Sequence, residues 1–219
     1  MHDYQTAFLK LALKHEVLRF GQFTLKSGRV SPYFFNLGKI SSGAAMRELG
    51  QAYAQALAAS GLAYDMLFGP AYKGIPLAAA VSIALADPAT GAGQRDVPYA
   101  YNRKEAKDHG EGGTLVGAPA AGRVVIVDDV LTAGTALREA VTLLRAQGAN
   151  PVAAVIALDR QEVGPNGQSA VAEMARETSI RVISLVTVQD VLQYLSAQTA
   201  DAGTIAAIRA YQTRYGVQS

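Results

Sequence analysis

The chain has 219 residues, half of them hydrophobic and 17% charged, which is enough apolar material for a sizeable core and excludes an intrinsically disordered chain. Twenty basic against 18 acidic residues leave a net charge of +2, too weak a balance to indicate nucleic acid or an anionic membrane as partner. There is no cysteine, so a disulfide scaffold, a thiolate nucleophile and a sulfur-ligated zinc site are excluded, and the scattered His2, His15 and His109 make no all-histidine cage.

Met1-His2-Asp3-Tyr4 lacks the basic-then-apolar pattern of a secretory signal, and no apolar run reaches the roughly eighteen residues of a membrane span. A soluble, cytoplasmic protein is expected. Ala7, Phe8, Leu11 and Ala12 recur at helical spacing across Tyr4–Lys14. From Val17 to Leu37, aromatic and apolar residues cluster around Ser27-Gly28 and Ser31-Pro32, which predicts short strands and a turn. Residues 1–41 therefore read as an N-terminal cap region.

Ser41 and Ser42 are candidate N-caps for an alanine-rich helix over Ala44–Ala59 that stops at Ser60-Gly61. Residues 42–187 read as the core. Its strands are expected at Met66–Phe68, Val97–Tyr101, Val124–Val127, Val152–Leu158 and Val182–Val186. Helices are expected over Gly74–Ala86, through Leu137, Val141 and Leu144 to Gly148, and near Ala170–Glu177. Two further helices, Val188–Gln198 and Ala202–Tyr215, occupy 188–219. Strands alternating with helices predict a doubly wound parallel α/β sheet in a single domain over 1–219. Lys104–Gly117 breaks the pattern with charges of both signs and four glycines. Burial there cannot offset the cost of ordering, so a mobile loop is expected over 103–117, and its Lys, His and Glu content suits an active-site lid.

The sharpest chemical signal is Val124-Val125-Ile126-Val127-Asp128-Asp129-Val130-Leu131-Thr132-Ala133-Gly134-Thr135. A buried strand delivers two carboxylates at its C-terminal end, where ligands bind in open α/β sheets. Thr132, Gly134 and Thr135 then precede a helix whose N–H groups and dipole can hold a phosphate. Carboxylates beside an anion cradle suit a ribose phosphate. A strand-to-helix turn with two exposed aspartates and a threonine cap is the plainer reading of the same spacing. There is no Gly-x-x-x-x-Gly-Lys-Ser/Thr loop, and Gly91-Ala92-Gly93 lacks a third glycine and a preceding strand, so nucleotidase and dinucleotide signatures both fail.

Val124–Thr135 resembles the phosphoribosyl diphosphate (PRPP) motif of the type I phosphoribosyltransferases. The loop Arg103–Gly113 is similar to that of one branch, the orotate phosphoribosyltransferase family, as are Phe20–Arg29, Ser31–Asn36 and Gly69–Gly74. These motifs follow the family's order and cover most of the chain from Phe20 to Arg160. The resemblance implies a type I fold with a small N-terminal hood and a mobile catalytic loop. It also implies transfer of phosphoribosyl from PRPP to orotate in de novo pyrimidine synthesis, giving orotidine 5'-monophosphate and pyrophosphate.

By that similarity Asp128 and Asp129 address the ribose hydroxyls. Thr132, Ala133, Gly134 and Thr135 hold the 5'-phosphate, flanked by Val130, Leu131 and Ala136. Tyr72 and Lys73 meet pyrophosphate. Arg103, Lys104, Lys107 and His109 approach the diphosphate, the loop members from the neighbouring subunit of a homodimer. Lys26 lies near both substrates, the Phe34–Phe35 main chain meets the base, and Thr132 and Arg160 meet orotate. Catalytic roles fall to Lys26, Lys107, His109, Asp128 and Asp129. Magnesium rides mainly on PRPP, with no direct protein ligand.

On position alone, Lys26 and Lys73 fit surface lysines, Phe34 and Phe35 a core, and His109 a solvated loop. Arg160 can pair bidentately with a carboxylate that orotate has and uracil lacks. That argues against a purine or uracil phosphoribosyltransferase. A PRPP-sensing, nucleic-acid-binding regulator would need a further domain or a broad basic face, which the short cap and the +2 charge do not offer. Neither nucleic acid nor membrane is an expected partner.

Overall fold

Side chains along the central strands alternate between two apolar layers. Met66 and Phe68 of β3 (Met66–Gly69) and Val124 and Ile126 of β6 (Arg123–Val127) enter one layer, while Leu67, Val125 and Val127 enter the other. This period of two, with both faces buried, is why these runs read as continuous apolar stretches. The computed structural model describes residues 1–25, 27–107, 113–131, 134–164, 166–198 and 201–217, with the backbone alone at 104–107 and 113.

The chain begins with α1 (Asp3–Lys14), the hairpin β1 (Leu18–Thr24) and β2 (Val30–Phe35), and α2 (Gly43–Ala59). Ser42 caps α2, its hydroxyl accepting from the Ala45 N–H at 3.3 Å. Then come β3, α3 (Gly74–Ala86), β4 (Tyr99–Lys107), β5 (Gly113–Gly117), β6, α4 (Thr135–Ala146), β7 (Asn150–Asp159), α5 (Ala170–Thr178), β8 (Arg181–Thr187), α6 (Val188–Ala197) and α7 (Ala202–Tyr215).

The main sheet has six strands in the order β5-β4-β3-β6-β7-β8; the hairpin is a separate two-stranded sheet. Strand β4 lies on one side of β3, and the chain then returns to place β6 on the other. Right-handed crossovers running in opposite directions put their helices on opposite faces. Accordingly α3 packs Leu77, Ala78 and Val81 into the layer shared with α1, α2 and α6, whereas α4 and α5 supply Leu137, Val141, Leu144 and Met174 to the other. The switch point between β3 and β6 opens a crevice at their C-terminal ends.

The five expected strands pair in parallel, and the chain adds an unexpected one, β5, antiparallel to β4 at one edge. One expectation needs correction. The segment expected to be loop over 103–117 is largely this hairpin: β4 extends to Lys107 and β5 starts at Gly113, and the tip at 108–112 lies outside the described residues. An edge hairpin takes its order from ladder bonds and needs little apolar burial, which a burial argument overlooks. The expected turn of the hairpin falls at Ser27-Gly28, closed by mutual bonds of Leu25 with Gly28 and Arg29, and Ser31-Pro32 lies within β2.

Candidate active site

Parallel strands end together, so the residues that follow them meet at one edge of the sheet. After β3 comes Pro70–Lys73, after β6 Asp128–Gly134, after β7 Arg160, and within β4 Asn102 and Arg103 lie level with the β3 end. Gly69 and Gly74 let the first loop turn tightly: a Cβ on Gly74 would meet Pro70 Cδ at 2.5 Å and Val127 O at 2.8 Å. The Ala71 N–H donates to Asn102 Oδ1 at 2.9 Å, which ties this loop to β4.

Lys73 then reaches across the crevice. Its Nζ lies 2.5 Å from Asp129 Oδ2, joining residues 56 positions apart. Asp129 is buried, and its other oxygen accepts the Val130 N–H at 2.8 Å. Asp128 accepts the Asp129 N–H at 2.9 Å, and its carbonyl accepts Tyr53 Oη from α2 at 2.8 Å. Burial pushes the Asp128 carboxyl up to about 6, aided by the Asp129 charge and opposed by the Asp129 N–H and Lys73. The crevice thus holds one carboxylate already paired with a cation and a second ready to take up or release a proton near neutrality.

Gly134 is the N-cap of α4, in the left-handed region at φ 74, and a Cβ there would collide with Met174 and approach Arg138. Thr135 and Ala136 are exposed in the first turn, where unpaired N–H groups and the helix dipole favour an anion. Val130 pairs with Leu158 of β7, which keeps the acidic segment in the sheet's plane before it turns.

Arg160 links the sheet to the hairpin. Its Nη2 donates to Ser31 Oγ of β2 at 3.0 Å, and its guanidinium lies 4.3 Å above the Tyr33 ring. Phe34 and Phe35 follow on the same strand, both half-buried. Phe34 packs on Phe23 with ring centroids 5.5 Å apart, and Phe35 packs on Phe8 at 6.4 Å. Both rings are thus engaged, and among the described residues β2 pairs with β1 alone, which leaves its other edge without a strand neighbour.

The structure therefore brings Lys73, Asp128, Asp129, Gly134 and Thr135 to one crevice and Arg160 to the hairpin strand of Phe34 and Phe35. Tyr72 is exposed on the first loop and Arg103 is half-buried on β4. Lys26, His109, Thr132 and Ala133 lie outside the described residues, as do the side chains of Lys104 and Lys107. Sequence reasoning missed Asn102, Tyr53, Ser31 and Glu162. Each acts through a contact distant in sequence, except Glu162, whose position two residues after Arg160 was a usable signal.

The family model described as the phosphoribosyl transferase domain matches residues 40–190. The chain is similar to the orotate phosphoribosyltransferase of Saccharophagus degradans, 56% identical over 218 residues and all of both chains. It is 54% identical to that of Thioalkalivibrio sulfidiphilus, over 99% of this chain and all of the relative. A crystal structure of the Francisella tularensis orotate phosphoribosyltransferase superposes with a TM-score of 0.85 at 40% identity, covering 95% of this chain and 98% of that one.

Proposed function

The chain belongs to the phosphoribosyltransferases and, within them, to the orotate phosphoribosyltransferase family, and from that premise we propose how its residues divide the reaction. The enzyme is a glycosyltransferase of the pentosyl class. It transfers the 5-phosphoribosyl group of PRPP to orotate, forming orotidine 5'-monophosphate and releasing pyrophosphate in pyrimidine synthesis. The observation that carries the assignment of roles is the convergence of Lys73, Asp128, Asp129 and the start of α4 at the β3–β6 switch point.

The first turn of α4, with Thr132, Ala133, Gly134 and Thr135, holds the 5'-phosphate. Asp128 and Asp129 accept hydrogen bonds from the ribose hydroxyls. The bond from the anomeric carbon to the diphosphate breaks as the base nitrogen approaches, so positive charge grows on the sugar and negative charge on the leaving group. Lys73, already aimed by Asp129, meets that leaving group together with Arg103, Lys104, Lys107 and His109. Preorganised donors of this kind contribute about 3 kcal/mol each to the transition state. Lys26 serves both substrates, the Phe34–Phe35 main chain reads the base, and Arg160 receives its carboxylate.

Magnesium fits this site as a passenger of the substrate. Magnesium is a hard cation that favours oxygen ligands, so diphosphate and ribose oxygens would supply most of its shell, with Asp128 and Asp129 free to hold the ribose hydroxyls beside it. There it would offset the charge of the diphosphate.

The enzyme acts as a homodimer in which the 103–117 lid serves the neighbouring site. Supporting this, α3 carries no charged residue yet leaves Ile83 71% exposed, and Tyr72 in the loop before it is 67% exposed. Residues 1–41 form the base-binding cap, 42–187 the core and 188–219 the C-terminal helices of one unit. No helix among the described residues is long and apolar enough to cross a membrane, and we place the enzyme in the cytoplasm. The test is loss of orotate ultraviolet absorbance with PRPP and magnesium each present or omitted: consumption needing both is expected, and consumption without PRPP contradicts the assignment.

A further inference from the structure

Arg160 does not stand alone. Its Nε donates to Glu162 Oε1 at 2.7 Å, and Nη2 lies 2.6 Å from the same oxygen, so Glu162 occupies one edge of the guanidinium. Ser31 takes Nη2 from another side, and the Tyr33 ring supports the guanidinium plane. All four groups are largely withdrawn from water: Ser31 is fully buried, Tyr33 is 1% exposed, and the Arg160 and Glu162 side chains are 18% and 16% exposed. A guanidinium paired this closely with a carboxylate is electrically spent and would attract a second carboxylate poorly.

Arg29 alters that balance. Its Nη1 lies 3.4 Å from Glu162 Oε2, the oxygen that Arg160 leaves open. Its Nη2 donates to the Val163 carbonyl at 3.0 Å, and its guanidinium sits 4.8 Å above the Tyr215 ring of α7. Within the Arg160–Glu162–Arg29 trio, two guanidinium charges stand against one carboxylate, and the surplus positive charge suits a substrate carboxylate. The segment is also clamped from the C-terminus: Val163 N–H donates to Tyr215 O at 2.7 Å, Val217 N–H to Gln161 O at 2.9 Å, and Gln212 Nε2 to Arg160 O at 3.1 Å. Asp159, next in the chain, turns its carboxylate onto the Gln161 N–H at 2.8 Å.

We infer that Glu162 and Arg29 are positioning residues for substrate selection, Glu162 fixing the Arg160 guanidinium and Arg29 neutralising Glu162 so that Arg160 keeps its charge for the base's carboxylate. The inference rests on the reading that Arg160 receives that carboxylate.

Steady-state kinetics with orotate and PRPP varied separately test it on Glu162→Ala, Glu162→Gln, Arg29→Ala, the Arg29→Ala/Glu162→Gln double variant and Arg160→Ala, each checked by thermal melting. Glu162→Ala is expected to raise KM for orotate about tenfold, with kcat and KM for PRPP within about twofold. Glu162→Gln keeps an acceptor oxygen for Arg160 and stays within about threefold of the parent. Arg29→Ala raises KM for orotate about fivefold, and adding Glu162→Gln removes most of that rise, because the uncompensated charge is gone. An orotate KM unchanged in Glu162→Ala, equal losses for both substrates, or no relief in the double variant overturns the inference. If Glu162→Ala does not fold, the Arg29 variants decide. A raised orotate KM in Arg160→Ala beside unchanged Glu162 and Arg29 variants sinks the inference alone; an unchanged one in Arg160→Ala removes its premise.

Discussion

Lys73 Nζ and Asp129 Oδ2 lie 2.5 Å apart, and this pair closes the crevice between the loops that follow β3 and β6. Asp129 is buried while more than half of the Lys73 side chain is exposed, so the carboxylate is the fixed partner and the lysine the one presented outward. Lys73→Ala is expected to lower kcat/KM for PRPP about 100-fold. Its cost in stability is about 1 kcal/mol, because an exposed lysine contributes little to folding. Kinetics and urea unfolding on the same sample separate the two effects.

Asp128 couples activity and stability in opposite senses. Burial first, then the Asp129 charge, pushes its carboxyl from 3.8 to about 6. The folded state therefore holds the proton more tightly than the unfolded chain. The protonated form's contribution is present at acid pH and is lost as pH rises through about 6. Asp128→Asn, neutral throughout, should be more stable than the parent at pH 7.5 by about 3 kcal/mol, and the difference should vanish below about pH 4. The same substitution should depress turnover strongly, and the parent's kcat/KM for PRPP should fall as pH drops below about 6. Denaturation and initial rates across pH check both limbs.

Asn102 acts at one remove, by holding the Ala71 N–H. Asn102→Ala frees the Pro70–Lys73 loop and should raise KM for PRPP about fivefold with a smaller change in kcat. Asn102→Asp, which keeps the acceptor oxygen, should recover part of the loss. Initial-rate kinetics with PRPP varied provide the check.

The proposed exchange of lids between subunits has a direct signature. Lys107→Ala and Arg160→Ala should each be nearly inactive as homodimers. Mixed after dissociation, they should regain activity, because a hybrid holds one site with both residues intact. Recovery should track the heterodimer fraction measured by native mass spectrometry. A demonstrated heterodimer without activity would assign each lid to its own subunit.

Most of the sheet was legible because Val124–Val127 and Val152–Leu158 are buried on both faces, which produces uninterrupted apolar runs. Strand β5, Gly-Thr-Leu-Val-Gly, was not: it sits at an edge, follows a charged segment and is ordered by pairing with β4. The paired aspartates and the glycine before α4 could be read directly, since their spacing is their geometry. The partners that tune them could not. Lys73 meets Asp129 from 56 positions away, and Ser31 meets Arg160 from 129, contacts that only the folding of strands side by side creates. The C-terminal residues carried no motif, yet Tyr215 and Val217 fasten the segment that bears Arg160.

In the proposed reaction this crevice moves phosphoribosyl from PRPP to a base chosen for its carboxylate. Pyrophosphate release should therefore be followed with magnesium and PRPP present and with orotate, uracil, adenine or hypoxanthine as the only acceptor. Release with orotate alone, lost in Arg160→Ala, is the predicted result. Release supported equally by uracil or by a purine, or PRPP binding without turnover of any base, would contradict the account.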